Sequence, residues 1–592
     1  MTMTLWPILA AALVAVHSAG AWGAESASQR LERLAVEANE RTLDLFPVSE
    51  TMGRGAGPRQ DRVELPFTAE HRERQRAHHR WVLQQLDGIP ERELTASEKL
   101  THQLLAYRSR DSLEWLQYPF HQHFIFIQLG GVPSHLIRLV SRQPFRNEAD
   151  YRAWLRRLAR YPEFLDGAAR TMREGAGAGV TIPRVIVENS LQQLEALAPD
   201  PSGMEKSALW KPMTHIPSAV DAPARARLET DYRKLLAEAV FPAIRRLAAF
   251  VRDEYLPLAR TSDGISALPR GAEMYRLAVR SETTTDMTPD AIHDLGLREV
   301  ARIQAQLLEV GKRAGFNGPI SDLHRWIREN PANYPFSTAG EVIAYLYRIH
   351  ARIVPQLPRL FGRLPRARFE IRPTEPELAA TTPAQWHPPS DDGTRPGVFT
   401  IPVLDPKEMS TLTLAALLAH EGMPGHHFDG GIKLENKVPE FRRWMWINAF
   451  GEGWGLYAEY LGHDLGLYED PLPLMGRYTF ELFRACRLVV DTGLHAKEWP
   501  RQRAIRYMAD ECGSTEGGAT AEVLRYMVWP GQALGYKIGE LAILDLRARA
   551  ERRLGSRFDV RAFHDAFLAE GHMPLSMARE RMEAWIENQA RK

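Results

Sequence analysis

The chain has 592 residues, 44% hydrophobic and 25% charged, an ordinary composition for a globular protein. Lysine and arginine number 75 against 74 aspartates and glutamates, a formal net charge of +1, so there is no basic field for nucleic acid and no acidic tail. The only cysteines, Cys486 and Cys512, exclude a disulfide scaffold and lack metal-binding spacing; one bridge between them, or a buried free thiol at Cys486, remains open.

The first element is an apolar run over residues 5 to 16, too short for the roughly 20 residues of a membrane-spanning helix. Small residues follow, with Ala21 and Gly23 at the −3 and −1 positions of a cleavage site before Ala24. Residues 1 to 23 thus read as a signal peptide, although only the terminal amine is positive ahead of the run. A bacterial protein of this kind goes to the periplasm or is secreted. No later stretch is long and apolar enough to span a bilayer, so no stable membrane insertion is expected after cleavage.

Residues 24 to 370 are expected to form an N-terminal helical lobe. Thr288 caps one helix, with Pro289 in its first turn and Leu295, Val300, Ile303, Leu307 and Val310 as its apolar stripe. The alternating residues 124 to 127 fit a short strand or a buried helical turn. There is no internal repeat. A stretch rich in proline, threonine, aspartate and glycine, residues 371 to 396, reads as loop. Residues 397 to 403 read as a short strand, expected to offer an exposed edge to an extended peptide. Asp405, Pro406 and Glu408 then look like the start of a helix running to His420.

That helix ends in His420-Glu421-Gly422-Met423-Pro424-Gly425-His426-His427. Histidine and carboxylate ligands suit zinc, and three protein ligands leave a position for the reacting water. In a regular His-Glu-x-x-His helix the second histidine lies about 40° round from the first, whereas His426 would lie about 120° round. The motif therefore needs a distorted helix. Pro424 removes the amide that would bond the carbonyl of His420, and Gly425 tolerates unusual backbone angles. His427, nearly in line with His420 but about 10 Å along the axis, is the alternative to His426. Glu452, flanked by Gly451, Gly453 and Gly455, is the third ligand, and Glu459 on the same face is placed to orient a ligand. Glu421 is the general base.

A further helix carries Arg487, Asp491 and His495 on one stripe, with Asp491 placed to hold His495 towards the substrate oxygen. Near the C-terminus, Tyr536 is a candidate oxyanion donor, and Arg525 and Lys537, with Arg487, are candidates to bind a substrate carboxylate.

The segments His-Glu-x-x-Pro-Gly-His-His, Glu-Gly-Trp-x-Leu-Tyr-x-Glu, Arg-Leu-Val-Val-Asp-Thr-Gly-Leu-His and Pro-Gly-Gln-Ala-Leu-Gly-Tyr-Lys-Ile-Gly resemble a large bacterial family long called a domain of unknown function. That family is grouped with gluzincin-type metallopeptidases and is similar in architecture to helical oligopeptidases and carboxypeptidases. The resemblance implies His420, His426 and Glu452 as ligands of one Zn²⁺, Glu421 as base, and His495 and Tyr536 as transition-state donors. The protein should be mainly α-helical and two-lobed with a deep cleft, residues 371 to 592 forming the zinc-binding lobe. It should be an exported zinc metallopeptidase acting on short peptides. A zinc amidase or esterase with a non-peptide substrate, and a non-catalytic peptide-binding protein with a vestigial site, are the alternatives. Endo- or exopeptidase action and oligomeric state stay open, the cations near Tyr536 favouring a carboxypeptidase.

Overall fold

The protein is described by a computed structural model covering residues 25 to 592 except 127 to 130, 380 to 381 and 392. The expected signal peptide, residues 1 to 23, lies outside the described residues. Helix makes up 71% of the chain and strand 3%, the strand being confined to one small sheet. Among the described residues no helix is long and apolar enough to cross a membrane.

Local signals account for many of the helices. Pro289–Arg313 starts at Thr288, whose side chain accepts the amide of Ala291. Its stripe of Val300, Ile303, Leu307 and Val310 is buried. The helix packs along Pro471–Ala496. At Gly296 an added Cβ would lie 2.8 Å from the side chains of Leu488 and Val489, so the glycine permits the close crossing. The largest apolar core joins Leu31, Leu104 and Ile303 to Leu418, Trp454 and Phe567, and so spans position 370. A second core is built almost wholly from residues 48 to 259. The segment beginning at Phe124 turns as a short 3-10 helix, Phe124–Phe126, while Ile127 lies outside the described residues.

The sheet contains β1 (Phe369–Pro373), β2 (Gln385–His387) and β3 (Gly397–Ile401) in the order β1-β3-β2. β3 runs parallel to β1 and antiparallel to β2. This corrects the expectation of an exposed edge at β3, because neighbours occupy both of its hydrogen-bonding sides. The covering strands were hidden beside and within a turn-rich stretch, and three-residue β2 is too short to show alternation.

Asp405 caps only a 3-10 turn, Pro406–Glu408. The helix that carries His420 starts afresh at Thr411–Glu421, with Ser410 as its cap. The helical stretch read from about residue 440 is two pieces, Glu440–Trp444 and Asn448–Leu461. Glu516–Val528 and Gly535–Leu554 follow the long Pro471–Ala496 helix. A Cys486–Cys512 disulfide ties that long helix to the turn after Arg501–Asp510.

Candidate metal centre

The chain breaks between His420 and His426. Thr411–Glu421 stops at Gly422, and a new helix, His426–Glu435, opens on the second histidine. The turn between them folds back on the first helix so tightly that a Cβ on Gly425 would lie 1.9 Å from the carbonyl oxygen of His420. Trp454 holds the turn by donating its indole N–H to the carbonyl of Pro424 at 2.9 Å. The imidazoles of His420 and His426 consequently meet edge to face, with centroids 4.6 Å apart.

Glu452, on Asn448–Leu461, completes the group. Its Oε2 lies 3.4 Å from His420 Nε2 and 3.3 Å from His426 Nε2. One donor atom from each residue lies within 4.8 Å of the others. Ligands about 2.0–2.1 Å from a tetrahedral zinc stand about 3.3–3.4 Å apart, so the two spacings to Glu452 fit that ion. All three side chains are nearly buried. Glu452 Oε2 and His426 Nδ1 have no conventional hydrogen-bond partner, an expensive arrangement unless a cation or water serves them. Burial opposes charge here, yet the carboxylates of Glu452 and Glu459 push His420 up to about 9. Burial likewise opposes ionisation of Glu452, but His426 and His420 hold it well below the usual carboxylate range. The surroundings thus favour a proton on His420, which metal binding would release.

The support behind His420 is specific. Glu459 Oε1 meets His420 Nδ1 at 2.9 Å, leaving Nε2 aimed at the cluster. Arg484 Nη2 lies 3.2 Å from the same oxygen of Glu459. Gly455 leaves space for the imidazole, since a Cβ there would fall 2.6 Å from its nearest ring atom. Gly453 allows the crossing with Gly535–Leu554, where its added Cβ would lie 2.5 Å from Gly539 Cα.

Glu421 is buried beside the ligands and lines a cavity of about 1050 Å³. Burial pushes its carboxyl up, against the two imidazoles, with Glu452 adding to the rise and the backbone N–H of Trp386 opposing it. Trp386 belongs to β2, so the outer side of that strand faces the cavity. His427 serves β2 instead of the cluster. Its Nδ1 accepts the indole N–H of Trp386 at 3.3 Å and its Nε2 bonds the carbonyl of Ala367 at 3.2 Å. Among the two candidate histidines, His426 is therefore the one brought to His420 and Glu452.

Tyr536, Arg487 and Arg525 also line the cavity. The Tyr536 and His420 rings stack at 6.2 Å, and Arg525 donates to the Tyr536 hydroxyl at 3.2 Å. Two expected site residues do not join them. His495 shares a stripe with Arg487 but sits about 12 Å further along the helix. There its Nδ1 accepts the amide of Ile265 and its Nε2 bonds the carbonyl of Tyr526, so no ring nitrogen is left for a substrate. Asp491 accepts from Tyr275 and Gly531, not from His495. Lys537, about 100° round the helix from Tyr536, is buried between Glu481 and Glu540, 2.6 Å from each. Neither residue is placed for the donor or substrate role expected of it.

Sequence reading missed Arg484, Trp386 and Glu522. Arg484 stands one turn before Arg487, so its stripe was visible. Glu522 stands three residues before Arg525, a visible helical pair. Trp386 had no signal within its short strand.

The family model described as "Bacterial protein of unknown function (DUF885)" matches residues 47–582, and the chain belongs to that family. No curated protein matches it. Among solved structures it is similar to a putative lipoprotein from Colwellia psychrerythraea, with 27% identity and a TM-score of 0.89 over 95% of this chain and 100% of that one. It shares its fold with a putative lipoprotein of unknown function from Shewanella oneidensis, at 18% identity and a TM-score of 0.72 over 93% and 99% of the two chains.

Proposed function

We propose that this member of the DUF885 family is an exported zinc-dependent peptidase that hydrolyses short peptides. The observation that carries the reading is the convergence of His420, His426 and Glu452 at zinc-like spacing, with Glu421 beside them in a large cavity. Two imidazoles and one carboxylate form a donor set that zinc favours.

A zinc ion held there would supply Lewis acidity and lower the pKa of a water to about 7. Glu421 takes a proton from the attacking water as its oxygen bonds the scissile carbonyl carbon. The C–N bond then breaks, and Glu421 returns the proton to the departing nitrogen. Tyr536 accepts a hydrogen bond from Arg525, which leaves its own O–H to donate to the oxygen that gains charge. The cavity runs past Gln385 and Trp386 of β2, a wall along which an extended peptide can lie. At about 1050 Å³ the cavity is at the top of the usual range for ligand sites, about 300–1,000 Å³. Export is supported by the apolar N-terminal run, by the disulfide and by relatives described as putative lipoproteins.

The test is zinc content and peptide cleavage in three proteins: the parent, His420→Ala with His426→Ala, and Glu421→Gln. The expected result is about one zinc per chain in the parent, none in the double variant, and retained zinc without turnover in Glu421→Gln. A folded parent that takes up no supplied zinc would overturn the proposal, as would a Glu421→Gln protein that keeps most of its activity.

A further inference from the structure

Beside Tyr536 the cavity wall holds an unbalanced charge. Arg487 and Arg525 are 4% and 6% exposed, so both are more than nine-tenths buried. They share one carboxylate. Arg487 Nη2 lies 3.0 Å from Glu522 Oε2, and Arg525 Nη1 lies 3.5 Å from Glu522 Oε1. Burial would keep Glu522 neutral, but Arg487 and Arg525 outweigh it and bring its pKa to about 2. Two positive charges therefore face one negative charge. Tyr526 does not change that count, since it only donates its hydroxyl to Glu522 and accepts from Arg487 Nε.

The surplus also has an unfilled hydrogen-bonding position. Arg487 Nη1 is buried without a partner. A guanidinium group so placed is costly unless an anion completes it. The pair flanks the proposed oxyanion donor, with the Arg487 guanidinium 4.4 Å from the centre of the Tyr536 ring and Arg525 bonded to its hydroxyl. The same ring stacks on His420 of the metal group. An anion seated there would be close to the scissile bond.

Resting on the peptidase reading, we propose that Arg487 and Arg525 form a subsite for the free C-terminal carboxylate of the substrate, so that the protein is an exopeptidase working from the C-terminus. Arg525 is already taken up by Glu522, Gln532 and Tyr536, so the direct contact falls to Arg487 Nη1 as a charge-assisted hydrogen bond, with Arg525 adding its charge. Glu522 holds the two forks in place and offsets one of the two charges, leaving about one unit for the substrate carboxylate.

The experiment compares one N-blocked short peptide as its free acid and as its C-terminal amide. The readout is the ratio of kcat/KM for acid to amide in the parent, Arg487→Met, Arg525→Met and Glu522→Gln, with zinc content and thermal melting recorded for each. A charge-assisted contact of this kind corresponds to a preference of about tenfold to hundredfold. The parent should show that preference, and each arginine variant should lose most of it. Glu522→Gln removes the competing carboxylate and should lower KM for the acid more than for the amide. It reads in the opposite direction even if an arginine variant fails to fold.

Equal losses on acid and amide would mean that the arginines only position Tyr536, and would overturn the subsite. Arg108, on the wall formed by residues 96 to 115, supplies a control. If Arg108→Met abolished the preference while the Arg487 and Arg525 variants kept it, the assignment would also fall. If the zinc-loaded parent cleaves neither peptide, the peptidase reading fails first. Calorimetric binding of the same peptides to Glu421→Gln then decides the subsite separately. Tighter binding of the acid, lost in the variant that adds Arg487→Met, would keep it, and equal binding would end it.

Discussion

Gly455→Ala should damage the metal centre while leaving the protein folded. An added Cβ would lie 2.6, 2.8 and 2.9 Å from Cε1, Nε2 and Nδ1 of His420, where ordinary contact begins at 3.4 Å. The ring must retreat by about 0.8 Å, or the helices must part, and overpacking of this kind costs about 1–3 kcal/mol. Alanine regains up to about 1 kcal/mol through its better helix propensity, so the net stability loss should be small. Metal geometry is less forgiving, because ligand distances are held within about 0.2 Å. The shift also strains the Glu459 bond to Nδ1, and disturbing such a partner weakens metal binding by about 10- to 100-fold. Competition for zinc with a coloured chelator, alongside thermal melting, measures both effects. Gly517→Ala is the control, since nothing lies within 4 Å of its added Cβ and it is exposed. It should gain up to about 1 kcal/mol in stability and bind zinc like the parent. A folded Gly455→Ala protein with unchanged zinc affinity would refute the placement of His420 against this helix.

Lys537→Met should destabilise the protein by about 3–5 kcal/mol, since it strands buried carboxylates. Chemical denaturation measures this, and an unchanged midpoint with a raised KM for peptides would restore Lys537 as a substrate ligand. Asp491 gives a pH test. Burial raises its folded pKa from 3.8 to about 7, against the bonds from Tyr275 and Gly531. Its contribution to stability is complete below pH 3.8 and is lost as pH rises towards 7, by at most about 1.4 kcal/mol per unit. Melting temperatures of the parent should fall relative to Asp491→Asn over that window, and parallel curves would contradict the raised pKa. The disulfide closes a loop between residues 26 apart, which corresponds to about 3.5 kcal/mol of chain entropy. Cys486→Ser with Cys512→Ser should therefore melt earlier than the oxidised parent, and coincident melts would show that the bridge adds no stability.

The sequence by itself pointed to the helical character, the break at Pro424 and Gly425, and a candidate metal group of His420 and Glu452 with either His426 or His427, Glu421 standing beside it as base. Each of these depends on residues near one another in the chain: a cap at Thr288, an apolar stripe at helical spacing, a glycine where backbone must come close. Glu459 was visible for the same reason, two turns beyond Glu452 on one face. Only the tertiary structure decided which neighbours meet across the chain. Periodicity put His495 on the stripe of Arg487, but it could not show that the backbone groups of Ile265 and Tyr526 would take both ring nitrogens. Adjacency in sequence made Lys537 look like a companion of Tyr536, yet one helical step turned it into a buried cluster with Glu481 and Glu540. The same limit applies to β3, whose edges were filled by strands too short or too turn-rich to announce themselves. Long-range packing chose among arrangements that local spacing left equal, because burial of charge and pairing of backbone depend on segments hundreds of residues apart.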